Sequence, residues 1–579
     1  MIKTLLKSVR EYKKASLLTP LFISLEVVME CLIPLTMSYI LDRAQEDVPD
    51  TNLILILSAS IVLLGMLSLL FGVLSGKFGA IASAGFAKNL RKDLYYKSQD
   101  FSFENIDKFS SASLVTRMTT DITNIQMAYG MILRITVRVP LMMIFSIALS
   151  FVISPKLALI YVAIVPVLGC ILFLIIRLAM PVFDKVFHKY DRLNESVEEN
   201  IKGIRVVKTY VREDYEKKKF KASAEEVRHD FVRAERIVAW NNPVMVFFMY
   251  ASLMAVSFLS GYLIVTTKQT ELGIGDISAI LTYGTQILMS LMMLSMIFVM
   301  LSLSITSMKR VVEVLQEEST IKNPENPIYE LKDGSIDFKD VSFKYSSTAQ
   351  KFALANVNLH IDSGQTIGII GGTGSSKTTF VNLLSRLYDT TEGEVLVGGV
   401  NVKDYDLKTL RDNVAVVLQK NVLFSGTILE NLRWGNPNAT LEEAKEACRL
   451  ACADEFVESF PEKYDTHIEQ GGTNVSGGQK QRLCIARALL KTPKVLILDD
   501  STSAVDTKTD AMIRKAFRES IPNTTKLIIA QRISSIEDAD QIIVLDGGLI
   551  NAIGTHEELL KTNTIYQEVY ALQNKKEEK

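Results

Sequence analysis

The chain of 579 residues is too long to fold around a single hydrophobic core, so we expect at least two domains. Hydrophobic residues make up 48% of it and its mean hydropathy is +0.20, which places part of the chain in lipid. The 64 basic and 65 acidic residues give a net charge of -1, so there is no basic excess and a nucleic-acid partner is not expected.

Six apolar runs dominate the first half of the chain, and each exceeds the roughly 20 residues that a helix needs to cross a bilayer. They predict a transmembrane domain of six helices over residues 1–307. The runs cover about 16–41, 53–83, 127–153, 156–180, 239–266 and 277–306.

The linkers between these runs alternate in length and charge. Residues 42–52 form a short acidic linker, whereas 84–126 and 181–238 are long, helical in pattern and rich in Lys and Arg. By the positive-inside rule the long linkers and both termini are cytosolic, which predicts a multi-pass protein of the cell (plasma) membrane. We interpret the long linkers as membrane helices that extend into the cytosol and turn near 110–122 and near 211–217.

The sequence pattern changes after the sixth apolar run. Residues 308–335 are polar and contain two prolines, which is typical of a linker. Beyond it, short β-rich runs such as 365–370 and 494–500 alternate with helical stretches such as 378–388. This alternation predicts an α/β nucleotide-binding domain over residues 336–579.

A glycine-rich segment, GGTGSSKT, follows a predicted strand and opens a predicted helix, as a phosphate-binding loop must. Lys377 would neutralise the terminal phosphates of ATP. The Thr378 hydroxyl would bind Mg²⁺, and Asp499, at the end of an apolar strand, would hold the water shell of the metal. The predicted ATP-binding residues of this segment are Gly371, Gly372, Thr373, Gly374, Ser375, Ser376, Lys377, Thr378 and Thr379.

One position of this loop departs from the usual pattern. Ser376 stands where a glycine normally precedes the lysine. Its Cβ narrows the loop and restricts its backbone. On its own the loop leaves many families of nucleotide hydrolases open.

A second motif narrows the choice. The segment NVSGGQKQR, with Ser476, Gly477, Gly478 and Gln479, resembles the signature motif of ABC ATPases. A serine N-cap followed by two glycines lets the backbone approach an anion closely, and the helix behind it directs its positive end at the same point. In the ABC family this motif binds the ATP held by the opposite subunit, so its intact form implies a partner.

The resemblance covers essentially the whole chain and matches ABC exporters in which six membrane helices precede the ATPase. It implies that Tyr345 stacks on adenine, that Gln419 senses Mg²⁺ and the γ-phosphate, and that Asp506 lies in the loop that crosses the dimer interface. It also implies that the cytosolic helical hairpins contact the ATPase domains and that the direction of transport is export.

Two further departures concern hydrolysis. In the family, the catalytic glutamate directly follows the aspartate of the Walker B strand, which corresponds to Asp499 here. This chain has Asp500 at the next position, and its side chain is one methylene shorter than that of glutamate. The family's switch histidine is replaced by Gln531, which can donate a hydrogen bond but carries no charge. A base displaced by about 1 Å loses on the order of 100-fold in rate, so slow hydrolysis is predicted at this site.

This asymmetry resembles one subunit of the bacterial heterodimeric multidrug exporters, in which one nucleotide site is degenerate and the other is competent. It implies a second, non-identical half-transporter with Glu and His at the two catalytic positions. The predicted substrates are small hydrophobic, amphipathic or cationic compounds. A lipid or peptide exporter, or a siderophore importer with the exporter fold, would carry the same motifs.

Candidate substrate residues lie in the first and sixth runs. Glu26 and Glu30 are one helical turn apart within a membrane helix, where a carboxylate usually faces a cavity or a partner. They either attract a cationic compound or form a salt bridge with an arginine such as Arg134 or Arg138. The sixth run has a methionine stripe that forms either an adaptable contact face or an ordinary packing surface; its residues are Met289, Met292, Met293, Met296 and Met300.

Overall fold

We describe the fold from a computed structural model, which describes residues 1–46, 48–267, 272–346 and 349–577. The chain forms two compact units. The first comprises Met1–Gln99 and Ser111–Glu317, and the second comprises Asp100–Ser110 and Glu318–Lys579.

The first unit is helical throughout. Within the described residues, six helical segments of the chain are long and apolar enough to cross a membrane. The helices of this unit are α1 (Ile2–Leu6), α2 (Lys13–Arg43) and α3 (Thr51–Gln99), then, beyond α4 of the second unit (Phe103–Phe109), α5 (Ser111–Thr116), α6 (Ile122–Ile153), α7 (Pro155–Lys202), α8 (Ile204–Thr209), α9 (Glu213–Val238), α10 (Asn241–Thr267) and α11 (Ile274–Gln316).

Several of these helices are much longer than a bilayer is thick. At 1.5 Å per residue, the 49 residues of α3 extend about 70 Å, and the 48 residues of α7 extend nearly as far. An apolar bilayer core is about 30 Å thick, so roughly half of each helix lies outside it. The helical extension of the membrane helices that the linkers predict is therefore present.

The predicted position of the first hairpin turn was wrong. Helix α3 ends at Gln99, and the chain reverses over 100–110, which includes α4. Ser102 caps α4 through a reciprocal pair of hydrogen bonds with Asn105, so a new helix begins there. Residues 111–121, where the turn was expected, continue as α5 and a π-helical turn, Arg117–Asp121.

The second turn overlaps only the start of the predicted range. Helix α7 ends at Lys202, the short helix α8 follows, and residues 210–212 form a turn, with Val211 at φ +52°, before α9 begins at Glu213. The acidic residues of 213–217 open a helix instead of forming a turn. Negative side chains in a first helical turn are stabilised by the helix dipole, and this preference was not weighed in the prediction.

The last membrane helix differs from its predicted end as well. Helix α11 runs to Gln316, into the segment 308–335 that was interpreted as a linker. The first strand of the second unit begins at Ile336.

Three β-sheets and nine helices beyond the turn helix α4 form the described part of the second unit. The strands are β1 (Ile336–Phe343), β2 (Leu354–Ile361), β3 (Thr366–Gly371), β4 (Glu392–Val397), β5 (Val400–Asn401), β6 (Val414–Val417), β7 (Gly426–Thr427), β8 (His467–Ile468), β9 (Val495–Asp499), β10 (Thr525–Ile529), β11 (Gln541–Asp546) and β12 (Leu549–Gly554). A six-stranded sheet has the order β12-β11-β3-β10-β9-β6, in which only β12 is antiparallel to its neighbour. A four-stranded antiparallel sheet has the order β2-β1-β4-β5, and β7 pairs with β8.

The helices pack around the six-stranded sheet, whose central strands are buried on both faces, as parallel strands usually are. They are α12 (Lys377–Leu384), α13 (Leu407–Asn413), α14 (Ile428–Leu432), α15 (Leu441–Leu450), α16 (Asp454–Ser459), α17 (Gly477–Leu489), α18 (Thr507–Ser520), α19 (His556–Thr562) and α20 (Thr564–Glu577). This is the predicted α/β domain, and it carries the candidate site.

Candidate nucleotide-binding site

The order of the strands brings the predicted ATP-binding residues together. Strands β3, β10 and β9 are parallel neighbours, so their carboxyl ends meet at one edge of the sheet. Gly371 ends β3, Asp499 ends β9, and Gln531 follows β10 by two residues. Ligands of open α/β sheets bind at this edge.

The glycine-rich loop connects β3 to α12 and closes around the lysine. Lys377 Nζ donates hydrogen bonds to the carbonyl oxygens of Gly371 (2.9 Å) and Gly372 (2.8 Å). Burial lowers the pKa of the Lys377 ammonium. A Cβ at Gly371 would meet the Leu545 carbonyl oxygen at 2.2 Å, so the loop needs glycine at that position.

The serine that breaks the motif adopts a conformation that favours glycine. Ser376 has φ +70° and ψ 25°, in the left-handed region. A residue with a Cβ is strained there, and the strain costs about 1 kcal/mol or more. The sequence predicted a restricted backbone at this position, and the structure places the restriction in this dihedral angle.

A cation would find ligands beside the loop. Thr378 Oγ1 donates a hydrogen bond of 3.2 Å to Asp499 Oδ1. The other oxygen, Asp499 Oδ2, is buried and has no hydrogen-bond partner in the described part of the chain. Burial raises the pKa of the Asp499 carboxyl. A hydroxyl and a buried carboxylate with a free oxygen are the hard ligands that Mg²⁺ prefers.

The two residues that depart from the catalytic pattern contact each other. Gln531 Nε2 donates a hydrogen bond of 2.7 Å to Asp500 Oδ2, and Gln419 Nε2 lies 3.5 Å from the same oxygen. The Asp500 carboxylate therefore accepts amide hydrogens at one of its two oxygens. Gln419 thus lies beside Asp500, on the loop that follows β6.

The predicted adenine-stacking residue lies at the side of the loop. Tyr345 follows β1, is 47% exposed, and its hydroxyl is 2.8 Å from Thr379 Oγ1 on α12. Its ring meets the Tyr388 ring edge to face, with centroids 5.2 Å apart. The exposed part of the Tyr345 ring is available to a base.

The sequence analysis missed Tyr388, which lies beside Tyr345, and its two partners on α4. Tyr388 donates a hydrogen bond of 2.7 Å to Asp107 Oδ2 on α4. The Phe103 ring of α4 packs on Tyr388 as well, with centroids 6.1 Å apart. The partners are 281 residues apart in sequence, and no local pattern announces the pair. The turn helix α4 is thus connected to the side of the candidate site.

The signature segment forms an exposed helix N-terminus elsewhere in the unit. Ser476 Oγ accepts a hydrogen bond from the backbone N–H of Gln479 (3.2 Å), and Gln479 Oε1 accepts one from the backbone N–H of Ser476 (2.9 Å). This capping box opens the 13-residue helix α17 with Gly477 and Gly478 as its first residues. The positive end of α17 therefore faces outward, as binding of an external anion requires.

The predicted interface loop is tied to this helix. Asp506 is exposed and caps α18, and a hydrogen bond from the Thr509 backbone N–H (3.0 Å) holds the pKa of its carboxyl low. Gln481, on α17, donates to Ser503 Oγ (3.2 Å) and accepts from the Ala504 backbone N–H (2.9 Å). The sequence analysis missed Gln481, which holds the signature helix and this loop together.

The candidate substrate residues belong to the first unit. Arg138, on α6, forms ion pairs with both Glu26 and Glu30 of α2, at 2.5 Å in the case of Glu30. Of the two interpretations of these carboxylates, the structure contains the salt bridge. The methionines of the stripe on α11 are 38 to 61% exposed in the single chain: Met289, Met292, Met293, Met296 and Met300.

Comparison with known proteins gives a consistent assignment. A family model described as ABC transporter transmembrane region matches residues 17–319, and a model described as ABC transporter matches residues 354–503. The uncharacterized ABC transporter ATP-binding protein YfiB of Bacillus subtilis is 35% identical over 548 residues, which cover 95% of this chain and 94% of that protein.

Two further matches concern substrate and fold. A fatty acid ABC transporter ATP-binding/permease protein of Mycobacterium bovis is 34% identical over 480 residues, which cover 83% of this chain and 75% of that protein. The structure of a bacterial Atm1-family ABC exporter with ATP bound superimposes with a TM-score of 0.83 at 22% identity, covering 97% of this chain and 99% of that one. At this identity the superposition establishes the fold.

The two family models together span most of the chain, and the fold is that of an exporter. The ATPase part binds ATP and couples its hydrolysis to transport, and the apolar helices make the protein a multi-pass membrane protein. The chain therefore belongs to the ABC transporter family, as an exporter-type half-transporter with its transmembrane and ATPase domains fused.

Proposed function

We propose that this chain is the degenerate-site subunit of a heterodimeric exporter. It binds ATP at its own glycine-rich loop and hydrolyses it slowly, and its signature segment completes the competent site of a different half-transporter. The observation that carries the proposal is the hydrogen bond of 2.7 Å between Gln531 and Asp500, the two residues that depart from the catalytic pattern.

This contact explains why hydrolysis is slow. A general base must be within hydrogen-bond reach of the attacking water and must hold that water in line with the phosphate. The Asp500 carboxylate is one methylene short of the usual glutamate, and its Oδ2 accepts the Gln531 amide hydrogen. Gln531 is uncharged, so it stabilises the developing charge of the transition state less than a histidinium does.

ATP binding itself is supported by the rest of the site. Lys377 and the backbone N–H groups at the start of α12 face the phosphates. In the bound state Thr378, Asp499 and Gln419 would hold Mg²⁺, which neutralises charge on the phosphates. The buried, unpartnered Asp499 Oδ2 supports a cation at this position.

The requirement for a partner follows from the signature segment. Ser476 and the first residues of α17 are exposed at a helix N-terminus, and they lie on a different part of the unit from the chain's own loop. An exposed helix end of this kind suits the ATP of a second subunit. We expect that subunit to carry Glu and His where this chain has Asp500 and Gln531.

The proposed substrates are hydrophobic or amphipathic compounds that enter from the membrane lipid and leave the cell. The exposed methionines of α11 support an adaptable contact face. Because Arg138 neutralises one of the two carboxylates, Glu26 and Glu30 attract a cationic compound less than two free carboxylates would. Lipid export is the second candidate, and the identity with the fatty acid transporter favours it.

The test compares the full-length chain with a variant that restores the family residues. The double variant Asp500→Glu/Gln531→His should raise single-turnover hydrolysis of radiolabelled ATP by about 100-fold, because the base regains its reach and the switch its charge. Lys377→Ala in the same background should abolish it. The proposal is wrong if the wild-type chain, purified alone, forms a homodimer with vigorous ATPase activity.

A further inference from the structure

A side chain of the C-terminal helix bonds to the segment that carries Gln531. Gln573, on α20, donates a hydrogen bond from Nε2 to the carbonyl oxygen of Gln531 (2.8 Å). Its Oε1 accepts a hydrogen bond from the backbone N–H of Ile533 (2.9 Å). One amide side chain therefore holds the main chain on both sides of Arg532.

The helix that carries Gln573 is firmly anchored. Tyr566 of α20 is fully buried, and its hydroxyl is 2.7 Å from His556 Nδ1. Tyr566 belongs to the same hydrophobic cluster as Ile533 and Ile536, which follow the switch residue. Tyr566 of α20 and the residues that follow Gln531 are therefore packed in the same hydrophobic core.

The segment that carries Gln531 is a loop, and other contacts fix both of its ends. At the near end, the Ala530 backbone N–H donates a hydrogen bond to the Ile369 carbonyl oxygen (3.2 Å). Strand β10 ends at Ile529, and the next regular element is a short 3-10 helix, Ile533–Ser535. Ser535 Oγ donates to Asp510 Oδ2 (2.8 Å), which fixes the far end. Between these ends, the Gln573 side chain bonds the main chain at Gln531 and at Ile533. Gln531 directs its own side chain to Asp500.

We infer that Gln573 is a positioning residue for the γ-phosphate sensor of this nucleotide site. Its two hydrogen bonds fix the main chain at Gln531, so that the Gln531 amide is aimed at the position of Asp500 and the terminal phosphate. Preorganised donors are effective because they need no reorganisation when the charge arrives. The inference rests on the proposed function only in assigning Gln531 to the γ-phosphate.

The experiment measures how strongly the full-length chain prefers ATP to ADP. The ratio of the two dissociation constants, obtained by displacement of a fluorescent nucleotide, isolates the interactions with the γ-phosphate. Gln573→Ala should lower this ratio by about fivefold, the effect of one net hydrogen bond. In the background Gln531→Ala the same substitution should change the ratio little, because the residue that it positions is gone.

The matched control is another glutamine of the same helix. Gln567 also donates one side-chain hydrogen bond to a backbone oxygen, that of Leu560 (2.7 Å), away from the switch. Gln567→Ala should leave the ratio unchanged. If it lowers the ratio as much as Gln573→Ala does, or if Gln573→Ala leaves the ratio unchanged, the inference is wrong.

A second variant separates the two hydrogen bonds. Gln573→Glu keeps an acceptor for the Ile533 N–H but has no donor for the Gln531 carbonyl, so it should lower the ratio as Gln573→Ala does; a wild-type ratio would contradict the assignment. Rapid hydrolysis by the unmodified chain would overturn the proposed function and leave these comparisons intact.

Discussion

At the scale of single residues, the site combines intact binding chemistry with altered catalytic chemistry. Lys377, Thr378 and Asp499 lie where phosphates and a cation would need them. Asp500 and Gln531 bond to each other. A chain that did not bind ATP would not need Lys377, Thr378 and Asp499. Because only the catalytic positions depart from the family pattern, the site argues for retention of the nucleotide.

The strained serine gives a prediction about stability. Replacing Ser376 with Gly should stabilise the domain by about 1 kcal/mol, because a residue with φ +70° no longer carries a Cβ. Thermal unfolding of the full-length protein, with and without ATP, measures the effect. The exposed Ser425 lies outside the positive-φ residues, so Ser425→Gly is the control and should give no gain. A lower unfolding temperature for Ser376→Gly would contradict the strain.

Most of these residues could be predicted, but their contacts could not. The glycine loop, Asp499 and the signature are local motifs, so the sequence reveals them directly. The bond between Asp500 and Gln531 depends on β9 and β10 being neighbours, and strand order is not a local property. The two hydrogen bonds of Gln573 were missed because no sequence pattern distinguishes a glutamine that bonds a distant loop from one that faces solvent.

At the scale of elements, the turn helix α4 belongs to the same compact unit as the nucleotide domain. Tyr388, whose ring contacts that of Tyr345, is bonded to Asp107 of α4. Burial raises the pKa of the Tyr388 hydroxyl, so it remains a hydrogen-bond donor at physiological pH. Through Tyr388, this aromatic pair is thus in direct contact with α4.

Removing this bond should loosen α4. Tyr388→Phe should speed amide hydrogen exchange across Phe103–Phe109 by about fivefold, which corresponds to one net hydrogen bond. Hydrogen-exchange mass spectrometry of the full-length protein measures it. Tyr405→Phe is the matched control, because its hydroxyl bonds the Val397 carbonyl oxygen in the same unit, at 2.8 Å. Equal exchange of α4 in the wild type and Tyr388→Phe would refute the coupling.

The turns show where sequence patterns fail for elements. Helical periodicity predicted that the membrane helices extend beyond the bilayer, and α3 and α7 are long enough to do so. The ends of those helices were misplaced because capping decides them: Ser102 starts α4, and the acidic residues from Glu213 start α9. Caps involve single residues, and these two were not weighed against the periodic pattern.

The salt bridge between α2 and α6 gives a prediction for the membrane unit. Arg138→Met leaves Glu26 and Glu30 without a counter-ion in a membrane helix, where an unpaired carboxylate costs at least about 2.5 kcal/mol. Folded yield and thermal stability in detergent should fall sharply. Arg134→Met is the control one turn away, since Arg134 is exposed and has no ion pair in the described part of the chain. Equal losses of folded yield and thermal stability for both variants would show that the ion pairs of Arg138 with Glu26 and Glu30 have no special role.

At the scale of the whole molecule, the chain is an exporter-type half-transporter with its transmembrane and ATPase domains fused. The order of motifs and the six apolar runs predicted the family, and the fold and the comparisons confirm it. Composition and motifs do not encode the partner or the substrate, because those depend on surfaces that a second chain completes. The proposed difference in ATPase activity between the two nucleotide sites therefore has to be tested in an assembled pair of half-transporters.

In the pair, the signature of this chain should matter more than its own base. Co-expressed with a half-transporter that carries Glu and His, Ser476→Ala should lower steady-state ATPase activity by at least about tenfold, because a hydrogen bond to a charged phosphate and a helix cap are lost together. Thr440→Ala removes an equivalent capping box from α15 and should leave the activity near wild type, so it accounts for the cost of uncapping alone. Asp500→Asn should lower the activity far less than Ser476→Ala does. If Asp500→Asn stops turnover as fully as loss of the partner's glutamate, both sites cut ATP and the chain is an ordinary catalytic half.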